Sequence, residues 1–195
     1  MKNIFLSLAL IFGICASNYL HAQSPTSSHP SADKTTSSHG SGIKWLTIEE
    51  AVELNKTTPK KFIVDIYTDW CGWCKTMDKT TFSEPVIASY LNEHFYSVKL
   101  NAEQKENIVI NGQTFKFVES GRRGYHELAA ALTNGNLSYP TVVLIDEKLG
   151  ILEVSPGYKK PAEMDMLMHY YGEDIYKNVS PTSFRDSFKS QFPNN

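Results

Sequence analysis

Two cysteines three residues apart, Cys71 and Cys74, follow the apolar run Phe62–Tyr67 (FIVDIY) after the short link Thr68-Asp69-Trp70. That order constrains the fold more than any other feature of the chain. An apolar run broken by one carboxylate, Asp65, reads as a buried strand, and the segment after Cys71 reads as a helix. At a helix start, positions i and i+3 share a face, with Cβ atoms roughly 5–6 Å apart. A disulfide can close across that gap with little backbone movement. The first cysteine then lies where unpaired N–H groups and the helix dipole stabilise a thiolate. Cys71 is therefore the expected nucleophile, and Cys74 the buried thiol that resolves it.

Other uses of such a pair leave weaker traces. Half of a zinc site would need a second pair, and His94, His126 and His169 show no ligand spacing. Haem attachment requires a histidine after the second cysteine, and that position is Lys75. A purely structural disulfide stays open. A loop this short, however, constrains the unfolded chain little and makes a poor staple.

The N-terminus sets the redox context. Lys2 precedes an apolar stretch, Ile4–Ile14, of about the length of a signal-peptide core. It falls short of the ~20 residues that span a bilayer, so no membrane span is expected after cleavage. The expected signal peptide is 1–22, cut after Ala22, with Ala16 or Ser17 as other cleavage points. Cys15 leaves with it; lipid attachment there would want a small residue where Ile14 stands. The mature chain then keeps two cysteines in an oxidising compartment. Residues 23–42 are rich in Ser and Thr and read as a disordered linker. His29 and His39 are solvated spacers within it. A net charge of −2, with no basic run, gives no ground for a nucleic-acid partner.

A folded domain is expected over 43–195. Thr47 caps a short helix. After Cys71 a helix breaks near Pro85 and resumes through Val86, Ile87, Tyr90 and Leu91. Phe95–Leu100 is a second strand. Residues 107–118 form a hairpin turning at Asn111-Gly112. Tyr125–Leu132 is helical, and Thr141–Asp146 is a core strand. Leu149-Gly150 turns into Ile151–Val154, and Pro161–Tyr171 is a helix with Met164, Leu167 and Met168 inward. Residues 179–195 form an extension containing a small helix. Strands alternating with helices, followed by an antiparallel pair, make a mixed α/β sheet.

FIVDIYTDWCGWCK resembles the active-site strand and helix of thioredoxins, and the resemblance runs from about Lys60 to Tyr171. It implies a thioredoxin fold, a mixed central sheet flanked by helices, with the hairpin as an insertion. It implies that Asp65 is the buried carboxylate below the resolving cysteine, with Lys99 beside it. It also implies that Tyr139-Pro140-Thr141 is a cis-proline loop facing the disulfide and that Gly157 lies near the substrate groove. On the residues alone, Asp65 inside an apolar strand should have a raised pKa and can take the Cys74 proton. A strand-end carboxylate reaching solvent is the alternative. Lys99 also reads as a snorkelling surface lysine, and Pro140 without the resemblance reads as trans. Trp70, Gly72 and Trp73 join Tyr139, Pro140 and Gly157 as expected substrate contacts. Packing alone would also explain Trp70, whereas Trp73 should be exposed. Arg122 and Arg123 are expected to face solvent.

The chain departs from the family at Trp73, where thioredoxins carry proline, and at the bulky Tyr139. Potentials of such pairs span about −270 to about −120 mV, so none transfers to this chain. The resemblance implies thiol–disulfide exchange with exported proteins bearing thiols or disulfides; the reducing or isomerising direction is expected because an envelope already has strong oxidants. An unidentified envelope redox donor would renew the pair. No cofactor is expected beyond the redox-active cysteines, and no metal. The rivals are a non-catalytic binding or chaperone module carrying a structural disulfide, and peroxide reduction at Cys71.

Overall fold

The computed structural model describes residues 42–193. The expected signal peptide, Cys15 and all of the expected linker but Gly42 lie outside those residues. Strand β1 (Trp45–Leu46) leads into helix α1 (Ile48–Asn55). Thr47 caps α1 through a reciprocal box: its hydroxyl accepts from the Glu50 N–H at 3.2 Å, and the Glu50 carboxylate accepts from the Thr47 N–H at 2.8 Å. Strand β2 (Lys61–Tyr67) precedes α2 (Gly72–Thr80) and α3 (Pro85–His94), where Pro85 takes the first helical turn that tolerates it. Strand β3 (Phe95–Asn101) follows.

The central sheet has strand order β1-β3-β2-β8-β9, with β8 at Thr141–Ile145 and β9 at Ile151–Pro156. Strands β1, β3 and β2 are parallel; β8 pairs antiparallel with β2, and β9 antiparallel with β8. Every residue of β2 but Tyr67 is buried, as befits a central strand covered on both faces. Phe62, Val64 and Ile66 pack with α1 and with α4 (Glu127–Leu132). Ile63 points the other way, into a core with Met77 of α2, Ile87 and Leu91 of α3, and Met164 and Met168 of α5 (Pro161–Gly172). By the alternation of a strand, Asp65 shares this second face. Leu167, expected inward, is only partly buried.

The insertion differs from the expectation of a single hairpin. Strands β4 (Ile108–Ile110) and β5 (Gln113–Phe115) pair around Asn111 and Gly112, whose φ angles of 49° and 82° suit a type I′ turn. Phe117–Val118 leaves that ribbon as β6 and pairs with β7, Tyr125–His126. Tyr125 and His126 are therefore strand rather than helix. His126 is fully buried and caps α4, its Nδ1 accepting from the Leu128 N–H at 3.3 Å. That leaves Nε2–H to donate to the Glu106 carbonyl at 3.2 Å.

At the far end, helix α6 (Pro181–Ser187) docks through Phe184, which is buried against Tyr170. Ser190 Oγ and the Gln191 N–H both donate to Asp165 Oδ2, at 2.6 and 3.2 Å. The expected C-terminal extension is thus packed on α5. No helix among the described residues is long and apolar enough to cross a membrane.

Candidate active site

Cys71 and Cys74 are joined as a disulfide, with Cα atoms 5.3 Å apart. Cys71 is the N-cap of α2, and its Sγ accepts the Cys74 N–H at 3.0 Å. Exposure does not separate the two cysteines, at 4% and 2%, so the expected contrast between an open and a buried thiol is absent in the disulfide form. Hydrogen bonding separates them. The helix N-terminus directs the Cys74 N–H at Cys71 Sγ, an arrangement that favours negative charge at that position.

Asp65 lies beneath this helix and is fully buried. Its register partners are Lys99 on β3 and Val142 on β8. Oδ2 accepts from Lys99 Nζ at 2.7 Å, while Oδ1 has no hydrogen-bond partner. Burial pushes the Asp65 carboxyl up to about 6; the Lys99 ammonium opposes that rise and the Asp78 carboxylate adds to it. The isolated carboxylate inside the strand run therefore does not reach solvent. Lys99 is likewise no free surface lysine. Its ammonium also binds Asp78 Oδ1 and lies 4.9, 5.1 and 5.5 Å from the ring centroids of Trp45, Tyr67 and Phe82. Burial alone would lower the Lys99 pKa, but the two carboxylates outweigh it and raise it. Asp78 stands four residues after Cys74, on the same face of α2. The chain Asp65–Lys99–Asp78 thus fastens the buried carboxyl to the resolving cysteine's helix.

The Tyr139–Pro140 peptide bond is cis, as the family resemblance implied. Gly157, at φ 87°, donates its N–H to the Pro140 carbonyl at 2.8 Å, which braces the loop from β9. The two tryptophans are large apolar side chains left open, Trp70 at 51% and Trp73 at 64% exposure. Trp70 is held by three groups rather than by core packing. Tyr139 meets it edge-on at 5.9 Å, its Nε1–H donates to Glu103 Oε1 at 3.0 Å, and the Arg123 guanidinium lies 4.3 Å over its ring. Arg123 is exposed, as expected, yet it is turned onto the site; Arg122 has no such contact. Trp73 packs against Tyr158 in a tilted ring contact at 5.5 Å. A Cβ on Gly72 would meet nothing within 4 Å, so the free protein leaves space above that residue.

Sequence reasoning missed Asp78, Glu103, Arg123 and Tyr158. Asp78 had a readable signal in its i+4 spacing from Cys74. The other three reach the site across loops, and no local pattern announces them.

A strand, a CxxC helix start, a buried carboxyl and a cis-proline loop together define a protein of the thioredoxin fold. The chain belongs to the family Thioredox_DsbH (Protein of unknown function, DUF255), whose match covers residues 34–138, more than half of its length. It is 31% identical over 61 residues to the thiol:disulfide interchange protein DsbD of Pectobacterium atrosepticum, 30% of this chain and 11% of that one. It is 36% identical over 66 residues to DsbD of Vibrio vulnificus, 32% of this chain and again 11% of the relative. The chain thus spans about a tenth of the length of these relatives. Among solved structures, a DsbH oxidoreductase aligns with a TM-score of 0.48 and 18% identity, over 77% of this chain and 93% of that one.

Proposed function

We propose that this protein is exported and exchanges its Cys71–Cys74 pair with disulfides and thiols of other exported proteins, acting as a reductase or isomerase. The observation that carries the reading is the N–H of Cys74 aimed at Cys71 Sγ, with Asp65 held beneath the same helix by Lys99. In the reducing direction the Cys71 thiolate attacks one sulfur of a client disulfide. A Cys71–client disulfide forms, and the other client sulfur leaves as a thiolate that takes a proton from water. Cys74 then gives its proton to Asp65 and attacks Cys71 Sγ. The second client thiolate leaves, and the Cys71–Cys74 disulfide is restored. The client gains two electrons and the protein loses two, so an envelope dithiol donor must return them.

Replacing Cys74 with Ser removes the resolving thiol and should leave clients trapped on Cys71 as mixed disulfides that a reductant releases. An exported Cys74→Ser protein that traps nothing under native conditions would sink the reading. The reduction potential against glutathione decides direction: a value near −270 mV fits a reductase and one near −120 mV an oxidant. A second reading, a binding module with an inert disulfide, draws support from the exposed Trp70 and Trp73. Full client binding and function by a Cys71→Ala, Cys74→Ala protein would favour it.

A further inference from the structure

Residues 156–160 form a strap that contacts the cis-proline loop, the end of α2 and Trp73. The Gly157 N–H reaches the Pro140 carbonyl, and Thr81 Oγ1, at the end of α2, donates to the Lys159 carbonyl at 2.7 Å. Lys159 Nζ donates back to the carbonyls of Pro156 and Gly157, at 2.7 and 2.8 Å, which stiffens the bend between them. Between these anchors stands Tyr158. Its hydroxyl shares a hydrogen bond of 2.9 Å with Thr80 Oγ1 on α2, and its ring packs against Trp73 at 5.5 Å with 38° between the planes. That is the one ring contact of Trp73 among the described residues. An indole 64% exposed would otherwise sample several rotamers, and each rotamer lost on binding a partner costs affinity.

We propose that Tyr158 is a positioning residue that holds Trp73 in one orientation beside the disulfide. The site thereby selects extended polypeptides with a large apolar side chain next to the reactive cysteine. This inference rests on the exchange reaction proposed above. Tyr158 touches neither sulfur among the contacts of the structure, so it acts through Trp73. On the other side of the pair Trp70 is fixed in the same manner by Tyr139, Glu103 and Arg123. The two indoles, each pre-set, give a neighbouring apolar side chain two aromatic faces at little ordering cost. A small polar disulfide has nothing to place there and should not sense the strap.

The test compares wild type, Tyr158→Phe and Tyr158→Ala on two substrates. One is a peptide disulfide with Phe beside the cysteine; the other is hydroxyethyl disulfide. Tyr158→Ala should raise KM for the peptide about tenfold with kcat within about twofold, matching the worth of one aromatic pair. Exchange with hydroxyethyl disulfide should be unchanged, and Tyr158→Phe, which keeps the ring, should restore most of the peptide KM. Equal loss on both substrates, an unchanged peptide KM, or a Phe variant as impaired as the Ala variant would overturn the inference. Trp73→Ala should likewise raise the peptide KM, which keeps the inference falsifiable if Tyr158→Ala does not fold. Binding of a cysteine-free Phe peptide, followed by the Trp73 indole N–H resonance, needs no turnover. If wild type exchanges neither disulfide, the functional reading fails; the inference fails separately if Tyr158→Ala, or Trp73→Ala followed by calorimetry, binds that peptide as tightly as wild type.

Discussion

Lys99 Nζ lies 2.7 Å from Asp65 Oδ2, and the same ammonium is shared with Asp78. One cation thus serves two carboxylates of unequal burial, the first sealed in the core and the second half-exposed on α2. Burial raises the proton affinity of Asp65, the shared ammonium opposes that rise only in part, and the Asp78 carboxylate adds to it.

Asp65 should make the protein less stable as pH rises. The folded state holds its proton up to about pH 6, whereas the unfolded chain releases it near 3.8. Stability contributed by the bound proton is complete below the lower value and is lost between the two. Asp65→Asn should therefore be the more stable protein at pH 7.5, by on the order of 2 kcal/mol, and equal to wild type near pH 3. Urea unfolding at the two pH values checks this, and a loss of stability at pH 7.5 would contradict it.

The rate of client release should climb with pH through about 6, where Asp65 becomes able to take the Cys74 proton. Lys99→Met removes the cation that opposes the raised pKa, so the limb should move to higher pH. Asp78→Asn removes a repelling charge and leaves Lys99 to Asp65 alone, so the limb should move to lower pH. Single-turnover release from a Cys71-linked client, measured from pH 4.5 to 8, reads both shifts. Parallel displacement of the two variants would refute the shared-cation account.

Gly124 and Gly112 both have positive φ, at 80° and 82°, but differ in surroundings. A Cβ on Gly124 would come within 2.4 Å of the Val118 carbonyl oxygen and 2.3 Å of Phe117 Cζ; on Gly112 it would meet nothing. Gly112→Ala should cost about 1 kcal/mol of backbone strain. Gly124→Ala adds a clash with backbone and should cost more than about 2 kcal/mol. Denaturation midpoints of the two variants give the comparison directly.

Arg123→Ala should loosen Trp70 while leaving the core intact. A cation over an exposed ring is worth about 0.5–1 kcal/mol. The expected result is greater quenching of Trp70 emission by acrylamide in a Trp45→Phe, Trp73→Phe background, with little change in melting temperature. Arg122→Ala should leave the quenching as it is.

The parts of the site carried by local pattern were legible in the sequence. Cys71, Cys74, Asp65 and the Asn111-Gly112 turn each announce themselves through spacing or through one residue out of place in an apolar run. The cis bond before Pro140 was read through family resemblance, since nothing local distinguishes it from trans. Tyr125 and His126 were misread as helix because Leu128, Ala129 and Leu132 extend an apolar period back toward them. The side chain of His126 ends that helix one residue before Glu127, and a histidine cap is a weaker signal than Ser or Asp. Trp70 reads from the sequence as a substrate contact with packing as the alternative, and neither reading names what holds it. Its partners, Glu103 and Arg123, lie 33 and 53 residues away in sequence, and only the return of the insertion brings them together.

That return has a consequence for how such a protein can diverge. The excursion that carries the hairpin leaves after Ala102 and comes back at His126, whose N–H donates to the Ala102 carbonyl at 2.7 Å. Its two ends meet at one point on the frame, so a longer, shorter or wholly different excursion could hang from the same pair at small entropic cost. Glu103 and Arg123, the groups that grip Trp70, belong to that exchangeable cassette, whereas Cys71, Cys74, Asp65 and Lys99 belong to the frame. A different excursion would therefore change what holds Trp70 and leave the cysteine pair, with the carboxyl and ammonium beneath it, where they are.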